Sequence, residues 1–438
     1  MKPNLTSLNS WWMSGGLSQD PDLQKASTLK ITYDPAPFVP EDVREPNVYT
    51  LRGPRRVGKT TSLKRFIRLL IEQHHYPPRS IVWCTADTCR TLRQLEDLVQ
   101  IALDSPAGDP TKLILIDEIT SVPEWQRVLK KVRDGNAAAQ STCWIVTGSS
   151  AADIRRGAER MPGRRRALTS TISSIDRLLL PMTFPQFLHA TSLPEPKGLE
   201  IFFEVGGFPA IAACASAEQR SFLEQRLREQ RDALFSDFER RKFDRVIAEE
   251  LIAALALQGT TATSWEAFGK QFSSASRDTA RAYVRAAGES FLLATYWGFD
   301  TGRNRVALKR DRKLLWIDPA LFRLAPTSNP RPELIAEGVT GAKLLREFDD
   351  DLHEGLHQSR TVFTWKSAAR NEIDFLVVKG RRKLPVEVKW QERISAWDLA
   401  GMERAFGTGI CVTKKDLDLG RKTRVISLER FLCESAVI

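Results

Sequence analysis

The sequence predicts an α/β protein whose residues 45–190 form a parallel sheet covered by helices. Three observations carry this. Gly53-Pro54-Arg55-Arg56-Val57-Gly58-Lys59-Thr60-Thr61 reads G-x-x-x-x-G-K-T, between the extended apolar run Val48-Tyr49-Thr50-Leu51 and a helical pattern from Ser62 to Gln73. Leu113-Ile114-Leu115-Ile116 sets four apolar residues in a row before Asp117-Glu118, as in a strand buried on both faces. Strands expected at 47–52, 80–85, 112–117 and 143–147 alternate with helical patterns such as Leu92–Leu103 and Pro123–Arg133, the order that builds a parallel sheet. A further strand is expected at Leu178–Pro181.

The first element is the P-loop pattern, so the expected fold is a P-loop NTPase sheet. A strand delivers the loop, the glycines let its backbone N–H groups turn inward, and a helix N-terminus adds positive dipole. Lys59 would reach the β- and γ-phosphates, and Thr60 would hold Mg²⁺ through its hydroxyl. ATP is the first ligand expected, bound by Gly53 to Thr61. Asp117 and Glu118 end the second element, where open α/β sheets bind ligands. Asp117 can hold the Mg²⁺ shell, and Glu118 can orient and polarise the attacking water. The strand Cys143-Trp144-Ile145-Val146 ends in Thr147-Gly148-Ser149-Ser150. Its hydroxyls, Ser149 among them, either sense the γ-phosphate or form a polar turn capping the next helix.

Composition bounds the rest. A chain of 438 residues holds two to four domains, and 42% hydrophobic with 27% charged residues is ordinary for a soluble protein. No apolar run reaches the ~18 residues that span a bilayer. The N-terminus is polar and lacks a signal-peptide core, so a cytoplasmic location without membrane attachment is expected. The cysteines are scattered without zinc-ligand spacing, which fits buried thiols in a reducing compartment. With five His, only His74 and His75 adjacent, a histidine metal site is not expected. A net charge of +11 points to a polyanionic partner, and it is clustered: Arg155, Arg156, Arg160, Arg164, Arg165 and Arg166 in one segment; Arg303, Arg305, Lys309, Arg310, Arg312 and Lys313 in another.

Residues 1–44 read as an N-terminal arm carrying Trp11 and Trp12, 45–195 as the ATPase domain and 196–245 as a helical connector. Residues 246–328 read as a winged helix. Helices are expected at Ile247–Leu257, Ser264–Gln271 and Ala280–Leu292, followed by a β-hairpin of Leu293–Phe299 and Arg305–Ile317. Such a helix can enter a DNA groove while the Arg303–Lys313 wing contacts phosphate. The competing reading is a protein-packing helical module with a charged hairpin.

Residues 329–438 change character, with a helix expected at Gly341–Leu356, strands at 361–366, 371–378 and 383–390, a helix at Ala396–Ala405 and a strand at Gly409–Thr413. Here lie Asn371-Glu372-Ile373-Asp374 and Pro385-Val386-Glu387-Val388-Lys389. Glu387 and Lys389 are two apart on a strand, so they share one face. Asp374, Glu387 and Lys389 are a candidate second metal site for phosphodiester hydrolysis, in a PD-(D/E)xK nuclease-like α/β domain. An ordinary half-exposed strand with alternating charge would look similar.

Taken together, the chain resembles the prokaryotic AAA-type P-loop ATPases that carry a C-terminal domain of unknown function with a restriction-endonuclease-like fold, a group related to the archaeal ATPases. The resemblance rests on Trp11-Trp12, Gly53–Thr61, Ile116-Asp117-Glu118, Thr147-Gly148-Ser149-Ser150, Pro162-Gly163-Arg164-Arg165, Pro181-Met182-Thr183-Phe184 with Phe187, Gly206-Gly207-Phe208-Pro209, and Asp374 with Glu387-x-Lys389. It implies an ATPase, with Arg164 or Arg165 reaching a γ-phosphate in a neighbouring subunit of a homo-oligomer. It also implies a glutamate on the first helix of the nuclease-like domain, a few residues after the helix-starting glycine. The chain departs from that pattern at Gly341-Ala342-Lys343-Leu344-Leu345-Arg346-Glu347, where the acid is offset to Glu347 or missing. The expected function is Mg²⁺-dependent ATP hydrolysis coupled to work on DNA. The alternatives are a nucleotide-gated scaffold for a protein partner with an inactive nuclease-like domain, and an ATP-regulated DNA nuclease.

Overall fold

The computed structural model describes residues 5–13, 16–106, 111–149, 175–258, 260–273, 275–325, 329–367 and 371–436. The chain divides into two compact units, Met1–Leu180 and Pro181–Ile438.

In the first unit, strands β1 (Val48–Arg52), β2 (Ile81–Thr85), β3 (Leu113–Asp117), β4 (Cys143–Gly148) and β5 (Asp176–Leu178) form one sheet in the order β2-β3-β4-β1-β5. Every pairing is parallel. β1, β3 and β4 are buried at every residue, as their continuous apolar runs require. The strand expected at Leu178–Pro181 lies slightly earlier, as β5 beside β1. Helix α1 (Lys59–Glu72) follows the loop after β1; α2 (Leu92–Asp104) and α3 (Gln126–Gly135) cover the sheet. Thr91 caps α2 by accepting from Gln94 N, with Gln94 reciprocating.

β2 is an edge strand, and the N-terminal arm satisfies it with side chains. Asn9 donates from Nδ2 to Trp83 O at 2.9 Å and accepts from Trp83 N at 2.6 Å, as a neighbouring strand would. Trp11 and Trp12 both donate from Nε1 to Ile81 O. The Lys64 ammonium sits over the Trp11 and Trp83 rings and pairs with Asp20 at 2.9 Å, so this buried charge is compensated. The arm thus removes an unpaired strand edge.

The second unit begins with helices, among them α4 (Leu223–Arg240). Helices α5 (Arg245–Leu257), α6 (Trp265–Gly269) and α7 (Arg277–Glu289) precede strands β6 (Leu293–Trp297), β7 (Phe299–Asp300), β8 (Arg305–Val306) and β9 (Arg312–Trp316). β6 pairs antiparallel with β9, β7 with β8, and Thr263 bridges to Arg312. Helix α8 (Pro332–Phe348) leads into β10 (Val362–Lys366), β11 (Glu372–Lys379), β12 (Arg382–Val388), β13 (Ile410–Thr413) and β14 (Arg424–Ser427), which form a second sheet in sequence order. Its first three strands are antiparallel and its last three parallel. Helix α9 (Ala396–Phe406) joins β12 to β13, and α10 (Leu428–Cys433) closes the unit. Trp297 and Phe299 of the hairpin strands share a hydrophobic cluster with Phe363, Trp365, Ile373 and Leu376 of the second sheet.

The Gly206-Gly207 element is a packing joint. Gly206 has φ +66°, and a Cβ there would lie 2.1 Å from Asp318 Oδ1. Gly207 N donates to Asp318 Oδ2 at 2.7 Å, and Met182 N donates to Gly207 O at 2.8 Å. Burial pushes the Asp318 carboxyl up to about 7, against the two backbone N–H groups that favour its charge.

Helix α8 corrects the expected Gly341–Leu356 boundaries. It starts at Pro332, so Gly341 lies in its interior. A Cβ at Gly341 would stand 2.4 Å from the Tyr296 hydroxyl and 2.7 Å from Phe375. The glycine is required by close approach to two rings and not by helix initiation. Among the described residues, no helix is long and apolar enough to cross a membrane. Cys84, Cys89, Cys143, Cys214 and Cys411 are buried.

Candidate functional site

The strand order builds the first site. β4 lies between β1 and β3, so the loop after β1, the carboxylates ending β3 and the hydroxyls ending β4 converge at one edge of the sheet. Gly58, at φ +97°, ends the loop and α1 starts at Lys59. Lys59 is buried, and its Nζ donates to Gly53 O and Pro54 O at 3.0 Å each, which holds the ammonium over the loop. Pro54 and Val57 are buried, Arg55, Thr60 and Thr61 are half-buried, and Arg56 is exposed at φ +66°.

Thr60 Oγ1 donates to Asp117 Oδ2 at 2.7 Å, which joins the two nucleotide motifs. A hydroxyl and a carboxylate side by side at a helix N-terminus are hard-oxygen donors of the kind Mg²⁺ takes. The residues present therefore fit Mg²⁺, which Thr60 and Asp117 would hold. Glu118 adopts φ +50°, a left-handed conformation costly for a residue with a Cβ. Its backbone N donates to Thr147 Oγ1 at 3.0 Å, and Thr147 Oγ1 donates to Asp117 Oδ1. Thr147 thus holds both acidic residues in place. Ser149 lies buried two residues further along. Thr147 ties the Asp117 carboxylate to the Glu118 backbone, a role that the motif alone does not assign to one of its hydroxyls. Arg164 lies outside the described residues, as do Arg165 and Ser150.

The second candidate site gathers more than the sequence suggested. Asp374 on β11 accepts from Val388 N at 2.7 Å through Oδ2. Glu387 on β12 lies 3.7 Å from Lys389 Nζ, and Lys389 lies 3.9 Å from Asp398. The acid from helix α8 is Glu337. Lys313 Nζ donates to Glu337 Oε2 at 2.9 Å and to Asp374 Oδ1. Glu347 is elsewhere, pairing with Lys343 at 2.6 Å and accepting from Ala436 N. The earlier helix start is what moves the acid from Glu347 to Glu337, one turn before Gly341 on the same face.

Three carboxyls, Glu337, Asp374 and Glu387, therefore face two ammoniums, Lys313 and Lys389. Burial, followed by the charge of Asp374, pushes Glu337 and Glu387 up to about 8 each. Burial opposes the charge on Lys313, but Asp374 and Glu337 more than offset it and its pKa rises. The directions agree that Lys313 stays charged and that Glu337 and Glu387 hold their protons more tightly than ordinary carboxyls.

The expected Arg303–Lys313 wing is corrected at two positions. Arg312 is 2% exposed and its guanidinium lies 4.8 Å from the Trp265 ring and 5.2 Å from that of Trp297. Lys313 is 3% exposed within the carboxylate cluster. Both sit on β9, which is covered on its two edges by β6 and the Thr263 bridge, so neither faces solvent. Arg303, Arg305, Lys309 and Arg310 are exposed.

Comparison with known proteins finds two family matches along the chain. Residues 45–188 match the family model described as an AAA domain, and residues 336–431 match one described as a domain of unknown function, DUF4143. No curated protein matches the chain. Among solved structures, the Walker-type ATPase of Pyrococcus abyssi is similar at 12% identity and a TM-score of 0.42, covering 64% of this chain and 90% of that one. The Aeropyrum pernix ORC1 protein, solved in complex with DNA, is similar at 13% identity and a TM-score of 0.31, covering 69% and 91%. Cdc6p of Pyrobaculum aerophilum is similar at 9% identity and a TM-score of 0.29, covering 69% and 93%. Residues 45–188 thus carry an AAA-type domain on a P-loop α/β fold.

Proposed function

We propose that this chain is a Mg²⁺-dependent ATPase whose hydrolysis drives conformational work associated with DNA. The observation that carries the ATPase reading is the 2.7 Å hydrogen bond from Thr60 to Asp117, which brings the two motifs to one point. Lys59 binds the β- and γ-phosphates once its ammonium leaves the loop carbonyls. Thr60 and Asp117 hold Mg²⁺, which neutralises charge on the phosphates when bound. Glu118 orients the attacking water, and Thr147 positions Glu118 and Asp117. Arg164 is our candidate for a γ-phosphate contact from a neighbouring copy. The test is ATP turnover by the whole chain beside Lys59→Ala and Glu118→Gln. Both changes are expected to lower turnover at least a hundredfold, and turnover that survives them would sink the assignment.

The DNA reading is supported by α5, α6 and α7 preceding a β-hairpin, the order of a winged helix over residues 246–328. Arg277, Arg281 and Arg285 are exposed at four-residue spacing on α7, and Arg303, Arg305, Lys309 and Arg310 are exposed on the hairpin. Arg277 and Arg285 also pair with local acids, at 3.0 Å to Glu266 and 2.9 Å to Glu289. Duplex binding that weakens steeply with salt, and more so in Arg281→Ala with Arg305→Ala, checks this. We read residues 329–438 as nuclease-like from Glu337, Asp374 and Glu387 on one helix and two adjacent strands, with Lys389 directly after the second strand. The ion pairs of Lys313 within that set favour a domain that does not cleave DNA as it stands. A scaffold for a protein partner is the second reading, favoured if ATP binds stably without turnover.

A further inference from the structure

The second site contains a cation of its own. Lys313 belongs to β9, outside the sheet that carries Asp374 and Glu387, yet its ammonium ends between Glu337 and Asp374. We propose that Lys313 is an internal counter-ion that closes the Glu337–Asp374–Glu387 cluster to divalent cations, so that metal and Lys313 compete for the same carboxylates. The inference extends the reading of residues 329–438 and does not depend on ATP hydrolysis.

Four observations support it. Asp374 has both oxygens engaged, one by Lys313 and one by Val388 N at 2.7 Å. Glu387 has its Oε1 3.7 Å from Lys389 Nζ, so a second ammonium also occupies the cluster. A divalent cation needs several oxygens aimed at one position. Among the described residues, no three His, Cys, Asp or Glu side chains converge in that way. Lys313 itself is 3% exposed, and a lysine is kept that deep only by partners that compensate its charge.

The device is anchored at its base. Lys313 pairs in register with Tyr296 across β6 and β9, and Tyr296 packs edge-on against Phe375, the residue after Asp374. Lys313 itself has its ammonium 5.9 Å from the centre of the Phe375 ring. It also sits on the strand that follows the exposed Lys309 and Arg310 of the hairpin.

The experiment counts Mn²⁺ equivalents on the full chain without nucleotide, from the free-ion EPR signal. Wild type, Asp374→Asn, Lys313→Met, Lys313→Arg and the double change Lys313→Met with Asp374→Asn are compared, with folding checked by circular dichroism. Wild type and Asp374→Asn should bind equal numbers, as should Lys313→Arg, which keeps the cation. Lys313→Met should bind one more, at least tenfold tighter than any Asp374-dependent binding in wild type, and lose it in the double change. A Mn²⁺ equivalent in wild type that Asp374→Asn removes would overturn the proposal. So would a folded Lys313→Met chain with no added equivalent. If Lys313→Met does not fold, the wild-type comparison with Asp374→Asn decides alone: equality supports competition and a difference refutes it.

Discussion

Thr147→Val removes one hydroxyl and keeps the shape of the side chain. Thr147 is fully buried, donates to Asp117 Oδ1 and accepts from Glu118 N at 3.0 Å. A hydrogen bond to a charged group contributes about 1.5–3 kcal/mol, and Glu118 N keeps a longer partner in Asp117 Oδ1 at 3.2 Å. The expected loss of stability is about 2 kcal/mol. A catalytic effect is expected from the role proposed for Glu118, whose left-handed backbone is held by that same hydroxyl. If about 1.4 kcal/mol of alignment is missing from the transition state, turnover falls about tenfold, and about thirtyfold if all ~2 kcal/mol is missing. The assay is steady-state phosphate release at saturating MgATP, with nucleotide affinity measured separately. A positioning role predicts a drop in kcat with affinity changed less than about threefold, and recovery in Thr147→Ser, which restores the hydroxyl. Unchanged kcat, or a loss carried entirely by affinity, would refute the reasoning.

Three further outcomes follow from the packing. Asp318 has a folded-state pKa raised from 3.8 to about 7, so its contribution to stability is complete below about pH 4 and is lost as pH rises through 7. The slope is about 1.4 kcal/mol per pH unit within that window. Urea midpoints at pH 5 and 8 should therefore fall more in wild type than in Asp318→Asn, whose side chain does not titrate; parallel pH dependence would count against the buried acid. Gly341→Ala places a methyl 2.4 Å from the Tyr296 hydroxyl and 2.7 Å from Phe375, and overpacking of that kind costs about 1–3 kcal/mol, read from the same urea curves. Asn9→Ala leaves Trp83 N and O without their side-chain partner on the sheet edge. It should destabilise by about 2–4 kcal/mol and raise self-association in light scattering.

The parts of the protein legible in its sequence are those whose cause is local. The glycine spacing from Gly53 to Gly58, the lysine and threonine after it, and four consecutive apolar residues before Asp117 each specify a loop, a helix start or a buried strand through neighbours in the chain. β1, β3 and β4 therefore lie close to where their runs place them. The β10–β13 strands and helix α9 were legible for the same reason. Gly341 was legible as a glycine but not in its role. A glycine that starts a helix and one that admits a tyrosine ring from another strand are the same letter, and that ambiguity displaced the acid of the second site from Glu337 to Glu347.

What the sequence by itself determined is the chemistry on offer: a phosphate loop, two carboxylates at a strand end, and a surplus of positive charge. Tertiary structure alone decided which groups meet. Placing β4 between β1 and β3 brings the Thr147 hydroxyl to Asp117 beside that of Thr60, and the arm brings Asn9 to Trp83, 74 residues away. It also changes the meaning of a charge. Arg312 and Lys313 read as cations of a phosphate-contacting wing beside Arg310, but aromatic rings and carboxylates take them up, and the partners of Lys313 lie 24 and 61 residues on. The physical reason is that hydration and ion pairing compete for the same ammonium. Which one wins depends on burial, and burial is set by the packing of distant segments.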